Sequence, residues 1–164
     1  MKISIVTPSF NQAPFLEETI RSVLDQDYPD LEYIIVDGGS TDGSLEIIRR
    51  YADRLAWWTS EKDRGQTDAI NKGFAHASGD ILAWLNSDDT YRPGALREAA
   101  ASFAAHPEAA LIYGDADYID ENSRVIGHFP AAQTDYARLR RGYVHIPQQA
   151  AFFRADLWHR VGPL

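Results

Sequence analysis

Apolar positions along this chain fall into two alternating patterns. Short continuous apolar runs alternate with longer stretches in which apolar residues recur every three or four positions. Lys2–Thr7, Leu31–Asp37, Leu55–Thr59 and Ile81–Leu85 are of the first kind and predict strands. Runs without strict in–out alternation are buried on both faces, as in a parallel sheet. Ala13–Gln26 is of the second kind, with Phe15, Leu16, Ile20, Val23 and Leu24 on one helical face. Ser44–Asp53, carrying Leu45, Ile48 and Tyr51, predicts a second helix, Thr67–Ala77 a third, and Pro93–Ala105 a fourth with proline in its first turn. Tyr28-Pro29-Asp30 separates the first helix from the second strand. The repeating strand–helix order predicts an α/β fold with a Rossmann-like, mostly parallel sheet and helices on both faces.

The pattern changes after about residue 107. Leu111–Asp117 and Arg124–Phe129 predict paired strands around the turn Asp120-Glu121-Asn122-Ser123. Tyr136–Arg141 predicts a short helix, Gln149–Phe153 a strand and Ala155–Val161 a last helix. A smaller mixed part is therefore expected over 108–164, within one domain spanning residues 1–164.

Composition narrows the class. The chain has 164 residues, 45% hydrophobic and 24% charged, which suits one soluble globular domain. No apolar run is long enough to span a bilayer. Met1-Lys2 leads into too short an apolar run for a secretory signal. With no cysteine, disulfides and cysteine–zinc sites are excluded, and a cytoplasmic location is expected. A net charge of −8 argues against nucleic acid as a partner. One basic cluster, Arg138, Arg140 and Arg141, reads first as a solvated helix face. Contact with an anionic lipid or polymer is the other reading, so peripheral association with the inner face of a membrane stays open.

The candidate chemistry lies at strand ends. Leu85-Asn86-Ser87-Asp88-Asp89 closes the fourth strand with two adjacent carboxylates. Open α/β sheets place their ligands at this edge. Neighbouring carboxylates repel unless a cation neutralises them, and oxygen ligands suit Mg²⁺ or Mn²⁺. An acidic helix N-cap in a solvated loop is the bland alternative. Pro8-Ser9-Phe10-Asn11-Gln12 follows the first strand and Asp37–Gly43 the second, so three polar loops share one edge. The glycines after Asp37 allow close approach of a ligand to the backbone. The spacing of Gly38, Gly39 and Gly43 is not a dinucleotide fingerprint, and no phosphate-loop lysine motif is present. None of the five histidines has metal-ligand spacing, and Ser9, Ser40 and Ser87 lack an obvious His/Asp partner.

Thr7-Pro8-Ser9-Phe10-Asn11, Ile35–Gly43 and Leu85–Asp89 with Pro93, in this order, resemble the family 2 glycosyltransferases, which have the GT-A fold. The resemblance implies a UDP- or GDP-linked sugar donor, a saccharide or lipid-linked acceptor, and transfer with inversion assisted by Mg²⁺ or Mn²⁺. It implies that Pro8, Ser9 and Asn11 border the nucleoside and that Asp37 holds its base. Asp63, Arg64 and Gln66 would flank the base and diphosphate. Asp88 would bind the metal, with Asp89 in the same loop. The half 1–107 would hold the donor, and Tyr143–Phe153, with Gln148 and Gln149, would border the acceptor. Asn86 stands where the family more often has Asp, and it keeps hydrogen bonding to the donor together with Ser87. The family's helix arginine is missing from Ala69-Ile70-Asn71-Lys72-Gly73, so Arg64 or Lys72 is the expected replacement. The family's general base follows the segment that Phe152–Gly162 resembles, and Leu164 precedes any such motif. The base is therefore left unassigned, and a truncated sequence is the expectation. A non-catalytic nucleotide-sugar-binding fragment is the alternative. A nucleotidyltransferase is disfavoured, because Thr7–Gln12 is not a Gly-rich basic loop.

Overall fold

A computed structural model describes residues 1–143 and 145–164. Val144, within the run expected to border an acceptor, lies outside the described residues. Four strands, β1 (Ile3–Ser9), β2 (Leu31–Asp37), β3 (Trp57–Ser60) and β4 (Ile81–Trp84), form the predicted parallel core. Between and after them run α1 (Ala13–Leu24), α2 (Ser44–Tyr51), α3 (Gln66–His76) and α4 (Ala95–Ala105). The later elements are β5 (Leu111–Tyr113), β6 (Ala116–Ile119), β7 (Val125–Phe129), α5 (Tyr136–Arg140), β8 (Ala151–Arg154) and α6 (Ala155–Val161). Six strands make one sheet in the order β3-β2-β1-β4-β8-β5, with β8 antiparallel to both β4 and β5.

Each central strand feeds two cores. Ile3, Ile5, Tyr33, Ile35, Ile81, Ala83 and Leu85 face one side, where Leu16, Ile20 and Val23 of α1, Ile48 of α2, and Leu96 and Phe103 of α4 cover them. Val6, Ile34, Val36 and Leu82 face the other, against Ala69, Ile70 and Phe74 of α3, with Trp158 of α6 packed alongside. This double burial is why the strands read as continuous apolar runs. Helix α3 lies close on β1 because Gly73 faces Val6, where a Cβ would stand 2.4 Å from Val6 Cγ1. Among the described residues no helix is long and apolar enough to cross a membrane.

Two expectations are corrected. Pro93 is not in the first turn of the fourth helix: Pro93-Gly94 forms a turn, and α4 starts at Ala95. Leu111–Asp117 is not one strand paired with Arg124–Phe129. It breaks at Gly114-Asp115, so β5 joins the main sheet while β6 pairs with β7 in a separate hairpin. The interruption changes partners because β5 sits beside β8, a neighbour some forty residues later that local patterning does not reveal.

Opposite the strand-end loops, the sheet's lower edge holds a buried carboxylate. Glu32 of β2 is 8% exposed. It accepts hydrogen bonds from Lys2 Nζ (2.5 Å), Ser4 Oγ (2.5 Å), and Ser78 N and Oγ (2.6 and 2.7 Å). Burial alone pulls its pKa upward, but these donors outweigh burial and bring it from 4.5 down to about 2. A carboxyl depressed by folding stabilises the native state above its unfolded pKa, and that contribution fades as pH falls toward its folded pKa. Urea titrations from pH 4.5 down to 2 should therefore show a steady loss of stability. Glu32→Gln should flatten that slope while costing about 1–3 kcal/mol at neutral pH.

Candidate functional site

Strand order runs outward from β1 through β2 to β3, then returns to place β4 on the other side of β1. Loops after β1 and β4 therefore diverge, and a crevice opens above them. A cavity of about 790 Å³ lies there, lined by Pro8, Ser9, Phe10, Gln12, Gly38, Gly39, Lys62, Asp63, Gly65, Gln66, Ala69, Asn86, Ser87 and Asp88. Its volume falls in the range of small-ligand sites. The Ser9 hydroxyl is buried in this wall and, among the described residues, has no hydrogen-bond partner. Such an orphan is costly unless a ligand or water completes it.

Asp37 organises the wall from behind. Its carboxylate is fully buried and accepts from Gly39 N (3.1 Å), Ser40 N (2.9 Å), Ser40 Oγ (2.5 Å) and Ser60 Oγ (2.6 Å). Asn11 is likewise a clamp, with φ at 53°: its N–H donates to Ser40 Oγ (2.8 Å) and its Oδ1 accepts from Thr41 N (2.9 Å). Neither residue lines the cavity, so both act through the loops they hold. Asp63 does line it. Its Oδ1 accepts from Gly65 N (2.9 Å), and its carboxyl lies so close to Gly38 that a Cβ there would stand 2.8 Å from Oδ2. Glycine at position 38 is thus required by close approach.

At the end of β4, the Asn86 amide is a hub. Its Oδ1 accepts from Gln66 Nε2 (2.8 Å), and its Nδ2 donates to Asp89 Oδ2 (3.1 Å) and Gln148 Oε1 (3.2 Å). Gln148 in turn donates to the Trp84 carbonyl (2.7 Å). An aspartate could not make the two donated bonds, which accounts for Asn at this position.

The tight turn that follows, closed by Asp89 N to the Asn86 carbonyl (3.1 Å), sends the two carboxylates apart. Asp88 is exposed in the first cavity, and among the described residues its side chain takes no hydrogen bond or ion pair. Asp89 faces a second cavity of about 730 Å³, which Arg92, Glu98, Asp117, Gln149 and Phe152 also line. Burial first, then the neighbouring Asp88 charge, push the Asp89 pKa up, opposed by the Asn86 hydrogen bond. Of the two adjacent carboxylates, Asp88 therefore lines the first cavity and Asp89 the second.

The basic residues are also redistributed. Arg64 pairs with Asp68 (2.6 Å) and Lys72 with Glu61 (2.8 Å), and neither lines the cavity. The cation in the cavity is Lys62, which sequence reasoning passed over, as it did Phe10 and Gln12. Phe10 and Gln12 lie in the loop it had singled out after the first strand, and Lys62 directly precedes Asp63, so membership of a strand-end loop was the available signal. No three His, Cys, Asp or Glu side chains form a metal cage among the described residues. One open carboxylate with neighbouring amide oxygen still fits Mg²⁺ or Mn²⁺, which are commonly bound by one or two carboxylates plus substrate phosphates.

The profile described as Glycosyl transferase family 2 matches residues 4–160. An uncharacterized glycosyltransferase of Mycobacterium tuberculosis is 33% identical over 163 residues, covering 98% of this chain and 61% of that protein. A PGL/p-HBAD biosynthesis glycosyltransferase of Mycobacterium bovis is 34% identical over 164 residues, covering 98% of this chain and 62% of that one. The chain thus spans about three-fifths of the length of these relatives. Among solved structures, S. aureus TarS in complex with UDP-GlcNAc aligns with a TM-score of 0.76 at 22% identity, covering 98% of this chain and 47% of that one. The mannosyltransferase PcManGT from Pyrobaculum calidifontis, in complex with GDP-Man and Mn²⁺, aligns at 0.72 and 25% identity, covering 99% and 47%. This chain belongs to glycosyl transferase family 2 and has the GT-A fold of these neighbours.

The hub has a measurable consequence. Asn86→Asp should lose both donated bonds and bring a third negative charge beside Asp88 and Asp89. Chemical denaturation in chelator should show it less stable by about 1–3 kcal/mol.

Proposed function

We propose that this domain binds a UDP- or GDP-linked sugar in the first cavity and transfers the sugar, with inversion, to an acceptor hydroxyl presented from the second. The observation carrying this reading is the placement of Asp88: a carboxylate with no partner among the described residues faces an open cavity of about 790 Å³ at the topological switch of the sheet. The GDP-Man and Mn²⁺ held by a neighbour with the same fold support it. So does the two-cavity layout, with Asn86 and its turn forming the partition.

The residues divide the work by their chemistry. Pro8, Ser9, Phe10 and Gly39 border the nucleoside, with the Ser9 hydroxyl free to bond it and the exposed Phe10 ring free to cover a face of the base. Asp37 fixes the loop against which the base rests. Asp63 accepts from base or ribose, while Gln66, Asn86 and Ser87 line the path to the sugar. Lys62 supplies positive charge toward the diphosphate, the role expected of Arg64 or Lys72. A divalent cation at Asp88 would neutralise charge on the leaving diphosphate. Residues 1–107 carry the donor side, and 108–164 supply the far wall of the second cavity. Binding both partners across one partition contributes chiefly by positioning. In the second cavity, Tyr91 stacks on Phe152 at 5.6 Å between ring centroids, an apolar floor for a sugar face beneath a carboxylate rim.

Calorimetry tests the assignment. Asp88→Ala should weaken Mn²⁺-dependent binding of UDP or GDP at least ~10-fold, a loss of about 1.4 kcal/mol. Unchanged affinity in Mn²⁺ would remove Asp88 from the site. Lys62→Ala should weaken the nucleoside diphosphate roughly 10-fold and leave the bare nucleoside alone, since charge-assisted hydrogen bonds contribute about 1.5–3 kcal/mol.

A further inference from the structure

Helix α5 has no buried residue. Five-residue helices are not stable on their own, because nucleation is costly and tertiary packing ordinarily supplies the stabilisation. Here local bonds close the unit: Asp135 Oδ1 accepts from Arg138 N (2.8 Å), and Arg141 N, Gly142 N and Tyr143 N return to the Arg138 and Leu139 carbonyls (3.0–3.1 Å). What this unit displays is unusual for a solvated face. Tyr136 is 76% exposed, Leu139 41% and Tyr143 59%, and exposed Arg138, Arg140 and Arg141 are interleaved with them. From Tyr136 to Tyr143 there is no carboxylate, in a chain of net charge −8. A basic, aromatic-bearing patch has thus been set apart from an otherwise acidic molecule.

We propose that α5 and the turn through Tyr143 dock on an anionic lipid surface. The charge is complementary: basic clusters near a membrane are drawn to acidic headgroups, at about 1 kcal/mol per Lys or Arg. The apolar members select lipid over other polyanions, because Tyr and Leu gain by entering the headgroup boundary while arginines stay at the interface. A nucleic acid offers no such layer, and the remaining acidic surface would repel it. The patch is also linked to the chemistry. The Tyr113 hydroxyl donates to the Ala132 carbonyl (3.1 Å) just ahead of α5, and Gln148, soon after it, bonds Asn86 at the partition between the cavities. The inference goes beyond the proposed transfer and does not depend on it.

Vesicle sedimentation tests it without any donor or acceptor. The protein is mixed with phosphatidylcholine vesicles, alone or containing phosphatidylglycerol, at low and high salt. Binding should require phosphatidylglycerol and fall with salt. Arg140→Ala with Arg141→Ala should weaken it roughly 10- to 30-fold. Tyr136→Ser with Leu139→Ser should weaken it as well, with the thermal midpoint unchanged. Equal binding to both vesicles, no binding to either, or indifference to the arginine pair would overturn the proposal. So would a lower thermal midpoint in the Tyr136/Leu139 variant, which would mean that these side chains pack against protein. Tighter capture of a single-stranded oligonucleotide than of the acidic vesicles would overturn it too.

Discussion

The carboxylate of Asp37 is fully buried at the end of β2, where an uncompensated charge would be strongly unfavourable. Two backbone N–H groups and two serine hydroxyls surround it, and through them three loops are fixed relative to one another. Ser40 carries the constraint on to Asn11 after β1, and Ser60 carries it to the end of β3. The first cavity exists because these loops cannot drift apart. Any substitution at Asp37 would be felt throughout the cavity, although the residue does not line it.

A second constraint works at the end of β4. The Asn86 amide spends its donors and acceptor on Gln66, Asp89 and Gln148, elements from three separate parts of the chain. It holds the loop in the shape that sends Asp88 toward one cavity and Asp89 toward the other. A single peptide turn thus separates the two cavities.

The fold was legible because burial on both faces of a parallel sheet writes itself as apolar runs. Ile81–Trp84 and Leu31–Asp37 could be placed almost to the residue. β5 and β8 were harder, since three- and four-residue strands take their identity from neighbours distant in sequence. Pro8, Ser9, Asp63, Gln66, Asn86, Ser87 and Asp88, singled out because they lie at strand ends, line the first cavity. Asn11, Asp37, Arg64, Lys72 and Asp89 could not be sorted from them, because which way a loop side chain turns depends on partners: Thr41, Ser60, Asp68, Glu61 and the Asn86 amide.

Strand β8 sits between β4 and β5, although it is made last of the three. A nascent chain emerging from the ribosome can assemble β1 through β4 early, but β4 keeps one bare edge until Ala151–Arg154 arrives. Exposed edges recruit other strands. During synthesis the molecule therefore passes through an interval of vulnerability to misassembly. Its length is set by the seventy or so residues of translation separating two neighbouring strands, at roughly 5–20 residues per second.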